Sequence, residues 1–215
     1  MLIQGNAPFQ RTAPLRPNFK TPVPSNNNNL PSKPPETGLP RFLNYYADYS
    51  GCGHWRMIWP EQVMNAHGKA VVHGTTVMNL DSKYYTQAKA VRIQRQATPQ
   101  QLEFMKWLRQ MADANNSRLI YEIDDICFHE DIPDYNKYKT AFTDPKIRQS
   151  AQEMMEICDE ITVTCPFMRD YYLSKTNNKN VTVIPNFMPK FWLGGRSDIN
   201  RTMESFEKNK RKPRI

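Results

Sequence analysis

Ala90-Val91-Arg92-Ile93-Gln94, then Thr98-Pro99 with Leu102, Met105, Leu108 and Met111, then Leu119-Ile120-Tyr121-Glu122-Ile123, read as a strand, a helix and a second strand. The outer runs are short, apolar and bounded by polar residues, as buried strands are. The middle run repeats its apolar residues at helical spacing, so it offers one stripe to a sheet. Thr98 stands where an N-cap is needed and Pro99 at the first helical position, where its missing N–H is no loss. Asn115-Asn116 closes the helix. Strands joined through a helix pair in parallel, so this unit sets the class of the fold.

The same alternation extends in both directions. Upstream, Phe42-Leu43-Asn44-Tyr45-Tyr46 reads as a first strand, Ser50-Gly51-Cys52-Gly53 as a turn, Ile58 to Ala66 as a helix and Ala70-Val71-Val72-His73 as a second strand. Downstream, Asp144-Pro145 caps a helix through Met154 to Cys158, Ile161-Thr162-Val163-Thr164 is a fifth strand, Pro166 to Leu173 a helix, and Val181 to Ile184 a sixth strand. The expected fold is α/β: a Rossmann-like, doubly wound, mostly parallel sheet. In such sheets the crossovers are right-handed and ligands lie beyond the carboxyl ends of the strands.

The chain has 215 residues, a formal charge of +8 and a pI near 9.3. A length of this order suits one good core with tails. Residues 1–40 hold Arg11, Arg16, Lys20 and Lys33 against Glu36, and residues 190–215 hold eight basic side chains against Asp198, Glu204 and Glu207. Residues 41–189 balance seventeen basic with seventeen acidic side chains, so the surplus charge sits outside the expected core. Basic tails on a neutral body can still add phosphate affinity by counterion release. Nine of the seventeen prolines, and the tract Asn26 to Asn29, fall in residues 1–40. That segment reads as a disordered arm. Residues 41–191 form the expected lobe and 192–215 a basic linker or tail. Cys52, Cys127, Cys158 and Cys165 lack metal-ligand spacing and follow no secretory leader, so reduced thiols in a cytoplasmic protein are expected. No apolar run is long enough for a membrane span.

The residues following each strand are the candidates for chemistry. Gly51-Cys52-Gly53-His54-Trp55-Arg56 places two glycines and free backbone N–H groups at a helix start, where a negative group can bind. The spacing is not Gly-x-Gly-x-x-Gly, which argues against an ordinary dinucleotide site. Arg56 has the fork geometry for a phosphate or carboxylate, or pairs with Glu61 or another surface acid. Arg95 ends the third strand and can face the ligand. Asp124-Asp125 end the fourth, where adjacent carboxylates need a cation, a sugar hydroxyl or solvent to take up their charge. Strand alternation points the two to different sides, one to the cleft and one to the following turn. A calcium loop is not spelled out, and no metal site is expected. His129 lies on the same loop. Pro185-Asn186 ends the sixth strand, where Asn can bond local backbone and set the outgoing direction.

Taken in order, Gly51 to Arg56, Val91 to Arg95, Leu119 to Asp125, Cys158-Asp159-Glu160-Ile161-Thr162-Val163-Thr164 and Val183-Ile184-Pro185-Asn186 resemble the N-terminal lobe of GT-B nucleotide-sugar glycosyltransferases of the phage and bacterial family 4-like group. The resemblance runs from about Arg41 to Phe191, with Phe187 where the family usually has Gly. It implies an acceptor-side lobe of an enzyme moving a sugar from a nucleotide-sugar to an acceptor hydroxyl. The substrate-binding set it implies is Gly51, Gly53, His54, Arg56, Arg95, Asp124, Asp125, His129 and Asn186. Gly51, Gly53 and Arg56 would face donor phosphates or acceptor, the acids and His129 the acceptor hydroxyls, and Asn186 the hinge. This lobe needs no cofactor of its own, and the nucleotide-sugar is a co-substrate held by a C-terminal lobe. Lys212-Pro213-Arg214-Ile215 is similar to the lead-in to that lobe's first strand, so the chain is expected to come from a split or truncated gene or from a longer polypeptide, completed by a separate C-terminal lobe, or else to be a lobe reused for binding alone. The alternative is a non-catalytic module that holds nucleic acid or protein through its basic and Pro-rich tails. A flavodoxin-like phosphoacceptor built on Asp124-Asp125 ranks last, because the later Thr and Lys at strand ends are missing.

Overall fold

The computed structural model describes residues 38–187, apart from Tyr138 and the side chain of Ala141. Most of the expected arm and the whole expected tail, residues 192–215, lie outside the described residues. Six strands form one all-parallel sheet: β1 (Arg41–Tyr45), β2 (Val71–Thr75), β3 (Ala88–Gln94), β4 (Arg118–Glu122), β5 (Glu160–Val163) and β6 (Val181–Val183). The order is β2-β1-β3-β4-β5-β6. β1 pairs with β2 on one side, Leu43 opposite His73, and with β3 on the other, Leu43 opposite Val91. The winding direction therefore reverses between β1 and β3, the place where sheets of this kind bind ligands beyond their carboxyl ends.

Four helical segments cover the sheet. The first, α1, runs through residues 51–66 as Gly51–Gly53, a π-helical turn His54–Ile58 and Trp59–Ala66. The others are α2 (Pro99–Ala114), α3 (Pro145–Ile157) and α4 (Pro166–Lys175). Period-two alternation on β1 sorts the faces. Asn44 and Tyr46 reach Glu61 of α1, while Tyr45 meets Phe104 of α2 edge to face with ring centroids 5.3 Å apart. So α1 lies on one face of the sheet and α2 on the other, with α3 packed beside α2.

The core on the α2 face holds Leu43, Ile93, Leu119, Tyr121, Ile161 and Val163 from the strands, with Leu102, Phe104, Met105, Leu108 and Ala112 from α2. Met111, expected on the stripe, is half-buried, and Ala112 takes the buried position. Thr98 completes a capping box: its hydroxyl accepts from Gln101 N (3.3 Å) and Gln101 Oε1 accepts from Thr98 N (2.9 Å). Asn116, at φ +51°, turns the chain out of α2, a conformation Asn tolerates.

One local expectation is corrected. Ser50 to Gly53 is not a free turn, because residues 51–53 already form the first turn of α1. The Asp48 carboxylate accepts from Ser50 N (2.7 Å), Ser50 Oγ (2.5 Å) and Gly53 N (3.3 Å), so it serves the helix start that Ser50 does not cap. Gly53 is required here by space. A Cβ would overlap the Asp48 carbonyl oxygen and lie 2.9 Å from its carbon.

Candidate functional site

Two polar assemblies stand at the carboxyl end of the sheet. The first is buried between β3–β5 and α1. Glu122 of β4, with a fully buried side chain, accepts from Arg56 Nε (2.5 Å) and Nη2 (3.1 Å), from Arg92 Nη2 (3.3 Å) and from the Thr162 hydroxyl. Arg56 continues to the Ile184 carbonyl and to Asn186 Oδ1 (3.0 Å), and its own carbonyl accepts from Arg92. Arg56 sits within the π-helical turn, whose carbonyls are spaced for bonds five residues on; the Trp59 N–H reaches His54 O. Such turns interrupt the regular ladder and are frequent at functional sites. Two guanidiniums around one carboxylate leave a surplus positive charge in a region of low dielectric, and burial lowers the pKa of Arg92.

The second assembly is a pocket of about 830 Å³ beyond the ends of β3 and β4. Ser50 and Cys52 enter it from the start of α1, Arg95 from the end of β3, and Asp124 and Asp125 from the end of β4. Arg95 bridges two loops: Nη2 lies 2.6 Å from Asp48 Oδ2 and Nη1 lies 3.0 Å from Asp125 Oδ2. It does so from φ +33°, a conformation L-residues other than Asn and Asp seldom adopt. Gln94 ties the same loop from beneath, accepting from Ala47 N and donating to Cys52 O, each at 3.1 Å.

Burial raises the Asp124 carboxyl above its ordinary range, helped by the Asp125 charge and opposed by the Cys52 thiol and Arg95. Asp124 Oδ1 is shielded from solvent and makes no hydrogen bond of its own, while the Cys52 thiol bonds the carboxylate. Burial, with Asp124 beside it, pushes the Cys52 thiol up to about 12. One ligand atom from each of Cys52, Asp124 and Asp125 lies within 4.8 Å of the others, a spacing that can hold a cation. Asp125 is already paired with Arg95, whose like charge opposes a cation there. The arrangement suits neutral hydrogen-bond donors better. A hydroxyl in the pocket can donate to the Asp124 carboxylate without displacing the Arg95 bridge to Asp48 and Asp125.

The sequence-selected residues divide among these places. Arg95, Asp124 and Asp125 meet in the pocket. Both acids line it, whereas alternation assigned them to opposite sides; β4 ends at Glu122, so the extended pattern no longer governs the two residues beyond it. Arg56 and Asn186 meet in the buried assembly, and the partner of Arg56 is Glu122, since Glu61 is engaged by Asn44 and Tyr46. Gly51 is exposed and Gly53 buried in the first turn of α1. His54 bonds Ser50 O through Nδ1 (2.9 Å) and meets Trp59 edge to face, outside the pocket lining. His129 is half-buried in the 3-10 turn His129–Asp131, also outside the lining.

Sequence reading passed over Asp48, Cys52, Gln94, Glu122 and Thr162. Glu122 carried a usable signal, being a carboxylate within the apolar run Leu119 to Ile123. A charge in a buried strand needs a partner, and Arg92 on the neighbouring strand was at hand. Asp48 carried none, since its role depends on where Arg95 arrives. All four cysteines are free thiols, and no helix among the described residues is long and apolar enough to cross a membrane. No protein-family model matches the sequence, and no curated protein matches it.

Proposed function

We propose that this chain is the acceptor-side lobe of a GT-B-type glycosyltransferase, and that the pocket beyond β3 and β4 receives the acceptor hydroxyl. The observation that carries the reading is the Asp124 carboxylate, which lines the pocket, stands outside the Arg95 ion pairs and meets the Cys52 thiol. A partly buried carboxylate of that kind accepts from a hydroxyl donor, because a desolvated acceptor left unsatisfied is costly. The ordered strand-end motifs that resemble this family, and the parallel sheet with its winding reversal, are consistent with the same reading. Asp124 and Asp125 bind and orient acceptor hydroxyls, Arg95 holds Asp125 and the β1–α1 loop in place, and the Arg56–Asn186 contact fixes the chain leaving β6. Transfer from a nucleotide-sugar requires a second lobe to hold the donor in near-attack geometry.

Saturation-transfer NMR and calorimetry of the full chain against a panel of methyl glycosides test the reading. Binding that Asp124→Asn weakens by tenfold or more, with transfer from nucleotide-sugars appearing only when a donor lobe is supplied, is the expected result. Absence of saccharide binding together with salt-dependent DNA binding would sink it in favour of the tail-mediated module.

A further inference from the structure

The pocket lining is of two kinds. The strand ends bring Arg95, Asp124 and Asp125, whereas Ile126, Ile132, Pro133, Phe142 and Met168 are apolar, with Asn136 the amide among them. The apolar part is made mostly by the long connection between β4 and α3, residues 123–144, which folds over the strand ends through the 3-10 turns His129–Asp131 and Lys139–Phe142. A connection of that length inside a domain is usually functional. α4 adds Met168, an adaptable side chain suited to irregular apolar ligands.

Resting on the acceptor reading above, we infer that the acceptor is amphipathic: a hydroxyl-bearing head on an apolar body, as in an alkyl or aryl glycoside, and not a free sugar. A fully hydroxylated sugar pressed against the Ile132–Phe142 wall loses hydration at every hydroxyl that finds no partner there. An alkyl or aryl body gains from the same burial, because apolar area leaves water. Size points the same way. A volume of about 830 Å³ lies within the range of about 300–1,000 Å³ that encloses molecules well larger than one sugar ring. The charged groups all come from the strand ends, while residues 126–142 and Met168 supply mainly apolar side chains, so a head on Asp124 leaves the body to the apolar part of the lining.

Matched pairs of methyl and octyl glycosides of glucose, galactose and mannose, the octyl members kept below their micellar concentrations, are titrated into the full chain by calorimetry. Octyl members are expected to bind at least about tenfold more tightly than methyl members, since two buried methylenes already account for about that factor. Phe142→Ala is expected to shrink the gap, and Asp124→Asn to weaken both members together. Nuclear Overhauser contacts from the octyl chain to the Met168 methyl and Phe142 ring give the same answer on the unmodified chain, should the variant fail to fold. Equal binding of methyl and octyl members overturns the inference and leaves the acceptor reading standing. An octyl preference with no contact to Met168 or Phe142, unchanged by Phe142→Ala, overturns it as well. Failure of every member to bind overturns both.

Discussion

The buried assembly around Glu122 makes a quantitative demand on stability. The Glu122 side chain is wholly buried, Arg56 is 2% exposed and Arg92 19% exposed, so replacing Glu122 with Leu leaves two guanidiniums without their counter-charge in a poorly solvated space. Removing one partner of a buried pair costs about 3–5 kcal/mol, a large part of the about 5–15 kcal/mol that holds a domain together. Arg56→Leu is milder. It leaves Glu122 bonded to Arg92 and Thr162 and forfeits the bonds to Ile184 and Asn186, for an expected loss of about 1.5–3 kcal/mol. The double variant removes the carboxylate and the more buried of its two cations together, so its loss is expected to fall short of the sum by about 1–3 kcal/mol. Urea unfolding of the four proteins, followed by far-ultraviolet circular dichroism, reads these differences as midpoint shifts at constant slope. Should Glu122→Leu fail to fold, Glu122→Gln keeps the shape and shows a smaller loss of the same sign. A Glu122→Leu cost below about 1 kcal/mol, or losses that simply add, refutes the claim that this carboxylate is the counter-charge shared by both arginines.

Gly53→Ala gains helix propensity but drives a Cβ into the Asp48 backbone, and overpacking of that kind costs about 1–3 kcal/mol; a thermal midpoint at or above the parent's would contradict the close approach. Thr98→Ala removes one arm of the capping box and is expected to cost about 1 kcal/mol by urea unfolding, with no change at all counting against the cap. Acid sensitivity follows from Asp159. Burial would raise its pKa, but the hydrogen bonds from Arg109 and from Leu119 N outweigh that and hold it below the ordinary 3.8. Its contribution is therefore present above 3.8 and lost as pH falls through the lower folded value, so Asp159→Asn should flatten the acid limb of stability below about pH 4; an unaltered limb removes the assignment.

Local features of the fold are legible in the sequence because they depend on neighbours. Thr98-Pro99, Asp144-Pro145 and the apolar strands each carry their own reason, and these elements form within about two residues of their expected places, whereas the first helix starts at Gly51 instead of Ile58. The helical start at Gly51–Gly53 hides from such reading, because the Asp48 side chain that receives Gly53 N is itself held by Arg95, 47 residues further along. The same is true of Arg56. Its fork geometry is visible, but the partners that define its role lie 66 and 130 residues away, on β4 and beyond β6. Only the strand order β2-β1-β3-β4-β5-β6 brings them together with Arg56, and strand order is a property of the whole chain. For the pocket, the acids and Arg95 are visible as strand-end residues, whereas the apolar wall rests on how residues 123–144 fold over them.

Strand geometry gives the two assemblies a common frame. β3 presents Arg92 and Gln94 toward α1 and then, past its end, Arg95 to the pocket; β4 presents Glu122 toward α1 and then Ile123 and Asp124 to the pocket. The rim is thus held from beneath by Gln94 and from the side by Arg95, both grasping the loop that starts α1. Arg95 fills this place by being forked, since it meets Asp48 and Asp125, from two different loops, with two different nitrogens. A lysine offers one nitrogen and a point charge. Arg95→Lys should therefore leave one carboxylate at the rim unpaired and loosen residues 47–53. Both partners are partly exposed, so the global stability should change by less than about 1 kcal/mol. Amide hydrogen exchange separates the two effects: faster exchange confined to residues 47–53 is expected, because local opening is independent of global unfolding. Unchanged exchange there, or a uniform loss of protection across the sheet, would show that Arg95 does not act as the tie between the two loops.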